Sequence, residues 1–125
     1  MADTDAMGIV YHATYLRWFE VGRCELIRAA GLSYARMEES GQSLPVVEAR
    51  LRYRAPARYD DVLDIQAGVV DLGRVRTSFG YRILRSADAL LLCEGETHHG
   101  CIDRSGRIVR FSAEVAEALR TARDG

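Results

Sequence analysis

Hydrophobic and polar residues follow two different periods along the chain, and the change comes after its first third. Residues 11–30 contain no proline and one glycine, and apolar side chains cover well over half of the helical circumference. That pattern is typical of a long helix packed on more than one side, and Gly31 follows it as a C-terminal stop. Residues 33–41 predict a short second helix, capped by Ser33 and ended by Gly41.

The rest of the chain predicts consecutive strands. Residues 47–55 alternate between apolar and charged positions, which indicates a strand with one buried face, and Pro56 ends it. Further strands are predicted over residues 62–73, 74–86 and 89–106, and the short turns between them make antiparallel neighbours. A terminal helix is predicted over residues 112–123.

This order of elements predicts an α+β fold in which an antiparallel sheet wraps one long helix. There is no alternation of strands and helices that would indicate a parallel sheet, and no internal repeat. A sheet of this size exposes unpaired backbone at its edges, so we expect self-association through an edge strand. The length of 125 residues suits a single domain spanning residues 1–125.

The composition bears on which binding partners and which cellular compartment to expect. A net charge of −1 gives no reason to expect nucleic acid or an anionic membrane as partner. No apolar run approaches the roughly 18 residues of a membrane-spanning helix, so we expect a cytoplasmic protein without an integral membrane segment. The three cysteines have no CxxC spacing, so buried free thiols are expected rather than a disulfide framework or zinc site.

The stretch DTDAMGIVYHATYLRWFEVGR, which begins at Asp3, carries the most specific pattern in the chain. It resembles the signature DTDxxGxVYHxxYxxxFExxR of hotdog-fold acyl-CoA thioesterases of the 4-hydroxybenzoyl-CoA thioesterase and YbgC type. The resemblance continues through YRAPARYDD and GETHHGCID, and so covers nearly the whole chain. It implies a hotdog fold, an acyl-CoA substrate, no metal or redox cofactor, and homodimers or homotetramers with active sites between subunits.

Two residues of this stretch are candidates for the chemistry. Thioester hydrolysis needs a carboxylate that attacks directly or activates water, and hydrogen-bond donors where the oxyanion develops. The resemblance gives the first role to Asp5 and leaves Asp3 to organise the loop, although capping is equally compatible with their charge and position alone. His12 stands at the predicted helix start, where free backbone N–H groups and the helix dipole can polarise a carbonyl and where its ring can orient or protonate a reacting group.

The other predicted contacts concern substrate binding. Gly8 permits a close backbone approach in the predicted loop, or is an ordinary turn glycine. Tyr11 is expected to pack at the head of the helix and to line the substrate. Arg74 and Arg76, with Ser78, could hold the phosphates of coenzyme A, but exposed arginines on an alternating strand are more often a solvated face. Arg50, Arg52 and Arg54 form an equally basic row.

Some motif residues are interpreted as structural. Glu20 and Arg23 are expected to form an ion pair. A metal site is not expected around His98 and His99, because adjacent residues on a strand point to opposite faces. The family arrangement TxHxxxD, which matches Thr97, His99 and Asp103, is expected to back the sheet.

The family usually carries a β-strand before the DTD loop, and here only Met1 and Ala2 precede Asp3. The first strand is thus missing or truncated in the numbered sequence, and we expect that sequence to start inside a longer natural chain. Two alternative functions stay open: a thioesterase acting on acyl-carrier-protein, and a non-catalytic acyl-CoA-binding or scaffold protein.

Overall fold

A computed structural model describes the backbone of residues 2–125 and the side chains of residues 12–125. Its helices are α1 (Ala2–Ala29), α2 (Tyr34–Glu39) and α3 (Ala113–Asp124), and its strands are β1 (Val46–Tyr53), β2 (Leu63–Leu72), β3 (Arg76–Arg85) and β4 (Leu91–Gly100). The chain therefore has the predicted α+β composition and the predicted order of elements.

The four strands form one antiparallel sheet in the order β1-β4-β3-β2. β4 lies between β1 and β3, so that Thr97 faces both Ala49 and Phe79 in register. Strands β1 and β2 form the two edges. The predicted exposure of sheet edges within one chain is thus confirmed for the strands that the structure describes.

Helix α1 lies against the inner face of the sheet, chiefly over β2 and β3. Phe19 stacks on Tyr81 of β3 with the two rings nearly parallel, at 4° and with centroids 4.2 Å apart. Phe19, Phe79 and Ile83 are fully buried in the core that the helix and sheet share. The prediction of a central helix is confirmed by this packing.

The helix begins earlier than the sequence pattern predicted, at Ala2 instead of residue 11. Residues 3–10, predicted as a loop leading to the helix, fall within the helical range. Helix formation is compatible with the sequence of this segment because it contains no proline and only one glycine, Gly8. The backbone N–H of His12 is consequently well inside the helix, not at its free N-terminal end.

The helix ends agree with the predicted caps. Ser33 and Ser112 accept hydrogen bonds from backbone N–H groups at the starts of α2 and α3, at 3.1 and 3.2 Å. Gly31 and Gly41 follow α1 and α2 at φ values of 101° and 84°, a conformation that glycine adopts without steric cost.

Strand β1 is less buried than its alternation predicted. Val47 and Tyr53, assigned to the inward face, remain 74% and 48% exposed. The reason is position: β1 is an edge strand, and α1 covers mainly the opposite half of the sheet. Among the described residues, no helix is both long and apolar enough to cross a membrane.

Candidate functional site

The described part of the predicted active site centres on His12. Its Nδ1 lies 3.2 Å from the hydroxyl oxygen of Tyr53, the last residue of β1. The contact joins the central helix to an edge strand, and both side chains are exposed. His12 can therefore meet a substrate from solvent while one of its ring nitrogens is held by the sheet.

Aromatic rings pack against the Tyr53 side of the His12–Tyr53 pair. Tyr15, one helical turn after His12, packs edge-on against Tyr53 with ring centroids 5.3 Å apart, and against Trp18 at 4.9 Å. Tyr15 is only 2% exposed. The prediction that Tyr15 is a packing residue is confirmed, although it lies well inside α1 and not at its head. Its ring limits where Tyr53 can place its hydroxyl.

Three other predicted site residues, Asp5, Gly8 and Tyr11, lie outside the described side chains. Their place in the sequence puts them in the α1 segment immediately before His12. The proposed roles of the Asp5 carboxylate, the Gly8 backbone and the Tyr11 ring stay predictions. The expected contribution of the His12 backbone N–H to an oxyanion hole also stays a prediction; with α1 beginning at Ala2, that N–H lies in the helix interior.

The residues predicted to bind phosphate lie at the other end of the sheet. Arg76 is level with Gly100 at one end of β4, whereas Tyr53 is level with Cys93. Cys93 and Gly100 are seven positions apart on β4, which corresponds to about 20 Å or slightly more. Arg74 and Arg76 are exposed and thus open to an anion, but one chain does not bring them close to His12.

Ser78 differs from the two arginines. Its side chain is buried on the outer face of the sheet, and its Oγ lies 2.6 Å from Nδ1 of His98. Nε2 of His98 in turn lies 3.5 Å from a Glu96 carboxylate oxygen. The hydroxyl of Ser78 therefore has a side-chain partner, and its predicted contact with a phosphate group stays a prediction.

The two adjacent histidines point to opposite faces, as predicted. His99 is 2% exposed and lies in the core, where its ring packs edge-on against Phe79. Nε2 of His99 lies 2.7 Å from the hydroxyl of Thr97, which confirms that these motif residues are structural partners. Among the described residues, no group of three or more histidine, cysteine or acidic side chains is arranged to hold a metal ion.

Sequence reasoning missed two partners of the motif residues. The hydroxyl of Tyr81 joins the buried network, 2.6 Å from Thr97 Oγ1. Arg23 is 8% exposed and faces the hydroxyls of Tyr81 and Tyr34. Glu20, its predicted ion-pair partner, is exposed, and the pair does not form among the described side chains. The alternation of β3 could have placed Tyr81 on the inner face, but not beside Thr97.

Comparisons with known proteins agree with this architecture. A family model described as the thioesterase-like superfamily matches residues 1–119. The acyl-CoA thioester hydrolase YbgC of Escherichia coli O157:H7 is 36% identical over 101 residues, which are 81% of this chain and 75% of that protein. The acyl-CoA thioesterase YbgC of Haemophilus influenzae is 32% identical over 119 residues, covering 94% of this chain and 86% of its own length.

A solved structure shows the same fold. The crystal structure of a DHNA-CoA thioesterase from Staphylococcus aureus superposes with a TM-score of 0.83 at 31% identity, over 95% of this chain and 82% of that one. The predicted hotdog fold and the predicted enzyme class, a thioesterase, are confirmed by these matches. With its helix packed against an antiparallel sheet and its signature residues in the matched range, the chain belongs to the thioesterase-like superfamily.

Proposed function

We propose that this protein hydrolyses acyl-CoA thioesters to a free carboxylic acid and coenzyme A, with Asp5 as the carboxylate that drives the reaction. The observation that carries the proposal is the family match over residues 1–119, which includes the whole DTDAMGIVYH stretch. The acyl-CoA hydrolases among the similar proteins support the substrate class.

Thioester hydrolysis requires a carboxylate and a hydrogen-bond donor from the protein. In one route the Asp5 carboxylate removes a proton from water as the water oxygen attacks the thioester carbon. In the other the carboxylate attacks that carbon itself, and water later hydrolyses the mixed anhydride. In both routes the C–S bond breaks, the thiolate leaves and takes up a proton, and no metal or redox cofactor enters the balance.

His12 has a supporting role in this proposal. Its ring is exposed beside Tyr53 and follows Asp5 by seven residues, close to two helical turns in an α-helix. A neutral imidazole N–H can donate to the carbonyl oxygen as negative charge develops there. The ring N–H of His12 is therefore the proposed source of oxyanion stabilisation among the described side chains.

Asp5→Asn tests the carboxylate. We expect release of free thiol from short, aromatic and long acyl-CoAs to fall by at least about 100-fold in kcat, since both routes need the charged oxygen. Asp60→Asn, a change to an exposed loop aspartate, is the matched control and should keep wild-type turnover. Full activity in Asp5→Asn contradicts the mechanism. Coenzyme A binding without hydrolysis by the wild-type protein favours the binding or scaffold alternative.

The nucleotide end of the substrate is proposed to contact Arg74 and Arg76. Because these arginines lie about 20 Å from His12 along one chain, the contact requires an extended substrate or a site shared with a second chain. In the Arg74→Gln, Arg76→Gln double variant, KM should rise several-fold for acyl-CoA but not for acyl-pantetheine, which lacks the nucleotide. Equal KM changes for the two substrates would rule out a nucleotide contact.

A homodimer or homotetramer is part of the same proposal. Val46 and Val47 expose apolar surface on the β1 edge, at 46% and 74%, and unpaired edge strands favour association. The same residues offer a test. Sedimentation velocity should give a species larger than one chain, and Val47→Lys should shift it toward the monomer. A wild-type monomer at all protein concentrations contradicts this part.

A further inference from the structure

We propose that Tyr53 is a positioning residue that holds His12 in the neutral tautomer with its proton on Nε2. The assignment of the tautomer rests on geometry alone, and its consequence for hydrolysis rests on the proposed function. No motif residue of the opening stretch supplies this contact. It comes from the end of an edge strand, 41 residues away in the chain.

The position of the Tyr53 hydroxyl is set by the scaffold. Its backbone is in register with Cys93 of β4, which is fully buried. The next residue, Arg54, donates its backbone N–H to the carbonyl oxygen of Leu92 at 2.8 Å. The buried ring of Tyr15 packs edge-on against the Tyr53 ring. These contacts fix the strand end and one side of the ring, so the hydroxyl meets His12 from a defined direction.

The hydrogen bond has a preferred direction. A phenol hydroxyl is a better donor than a neutral imidazole N–H, and a bare imidazole nitrogen is a better acceptor than a phenol oxygen. Partial burial raises the pKa of Tyr53 above its usual value, so the hydroxyl keeps its proton at neutral pH. Tyr53 accordingly donates to Nδ1 of His12, and the ring proton of neutral His12 resides on Nε2.

The buried histidine shows the opposite arrangement in the same molecule. Nδ1 of His99 lies 2.9 Å from the carbonyl oxygen of Leu44, which can only accept. The proton of His99 is therefore on Nδ1, and its Nε2 accepts from Thr97. One chain thus contains both neutral tautomers, each selected by the partner of Nδ1, and His99 is an internal reference for the tautomer of His12.

The tautomer decides what His12 can do in hydrolysis. With Nδ1 occupied by Tyr53, the other nitrogen of neutral His12, Nε2, carries a hydrogen. That atom can donate to the developing oxyanion but cannot remove a proton from water. The geometry therefore gives the acceptor role in the reaction to the Asp5 carboxylate and the donor role to His12.

Long-range ¹H–¹⁵N NMR at about pH 9, where ordinary imidazoles are neutral, reports the tautomer of each of the three histidines. Assignment uses His12→Gln. In the wild-type protein we expect His12 to be protonated on Nε2 and His99 on Nδ1. In Tyr53→Phe, His12 should relax to the mixture of tautomers of an unconstrained imidazole, while His99 keeps its pattern. Tyr59→Phe, a change to a fully exposed tyrosine, is the matched control and should change neither.

Kinetics supplies the second readout. Loss of one hydrogen bond that orients His12 should lower kcat for acyl-CoA by about 3- to 10-fold with little change in KM, and Tyr59→Phe should leave kcat unaltered. A wild-type His12 protonated on Nδ1 overturns the proposal, even if Tyr53→Phe does not fold. An unchanged tautomer population in folded Tyr53→Phe also overturns it. Because the spectra need no substrate, failure of the proposed hydrolysis would leave these outcomes readable.

Discussion

Nδ1 of His99 lies 2.9 Å from the carbonyl oxygen of Leu44, and this contact fixes the direction of a buried chain of hydrogen bonds. With its proton on Nδ1, His99 must accept at Nε2 from the hydroxyl of Thr97. The Thr97 oxygen then accepts from the hydroxyl of Tyr81, whose oxygen faces the guanidinium of Arg23. Each group has a partner of the right kind only while His99 is neutral.

The stability of the protein should consequently fall in mild acid. Burial is the main cause that lowers the pKa of His99, from 6.5 to about 4. Between those values the unfolded chain binds a proton that the folded chain excludes, so stability is complete above the unfolded pKa and is lost as pH falls toward the folded one. Urea unfolding should show a loss of about 2 kcal/mol from His99 between about pH 7 and pH 5.

Two variants separate this effect from other titrating groups. His99→Gln should remove this part of the pH dependence, whereas His98→Gln, on the outer face of the sheet, should retain it. An NMR titration of the wild-type protein gives a check that does not depend on variant folding. A His99 ring that takes up its proton near pH 6.5 in the folded state contradicts the prediction.

Gly95 leaves the space in which the helix approaches the sheet. A Cβ atom at this position would lie 2.2 Å from the carbonyl oxygen of Arg50 and 2.8 Å from Cε2 of Phe19. Moving either the strand backbone or the buried ring away from an added Cβ atom would cost packing energy. Gly95→Ala should therefore lower the free energy of unfolding by about 3 kcal/mol.

The matched control is Gly68→Ala, on the edge strand β2 of the same sheet. Its added Cβ would have no heavy atom within 4 Å, and alanine costs less conformational entropy than glycine on folding. Urea unfolding should show a change within about 0.5 to 1 kcal/mol of the wild-type protein. Equal destabilisation by the two substitutions would show that the close approach of Phe19 and the Arg50 carbonyl oxygen to Gly95 does not cause the loss of stability.

The difference between Gly95 and Gly68 illustrates how far the sequence could predict this fold. The spacing of apolar residues and the capping residues predicted all the strands and helices that follow Gly31, because both signals are local in sequence. The register that puts Gly95 opposite Leu51 and under Phe19 depends on packing between distant segments. The same holds for Tyr53, whose side of β1 was predictable but whose partner, His12, was not.

The start of α1 is a part of the fold that the sequence analysis predicted incorrectly. Residues 3–10 contain no local signal that forbids a helix, but the apolar pattern favoured a helix start at residue 11, and the family resemblance implied a loop before it. The expected ion pair of Arg23 with Glu20 likewise depended on their spacing and on the family resemblance. The helix instead turns Arg23 into the core, toward Tyr81 and Tyr34, because packing on two sides leaves a narrower solvent stripe than a free helix has.

The three cysteines should differ in reactivity. Cys93 and Cys101 are fully buried, and burial raises the pKa of the Cys93 thiol to about 11. Cys24 is partly exposed on α1. Because the thiolate is the reactive form, a short treatment of the native protein with iodoacetamide should modify Cys24 first, and urea should be needed for the other two. Peptide mass spectrometry reads each site separately, and native labelling of Cys93 ahead of Cys24 would be incompatible with this packing.

Arg85 ties two loops to the end of the sheet through its planar guanidinium. Its Nε donates to Asp61 at 3.0 Å and its Nη1 to Asp88 at 3.2 Å, and the side chains of Arg85 and Asp61 are only 10% and 13% exposed. A lysine keeps the charge but cannot reach both carboxylates in this geometry, so Arg85→Lys should lower the urea midpoint. Arg82→Lys, an equivalent change at an exposed position of the same strand, should leave the midpoint near that of the wild-type protein. If both variants unfold at the same urea concentration, the positive charge of Arg85 accounts for its contribution to stability, and the paired hydrogen bonds of its guanidinium add nothing.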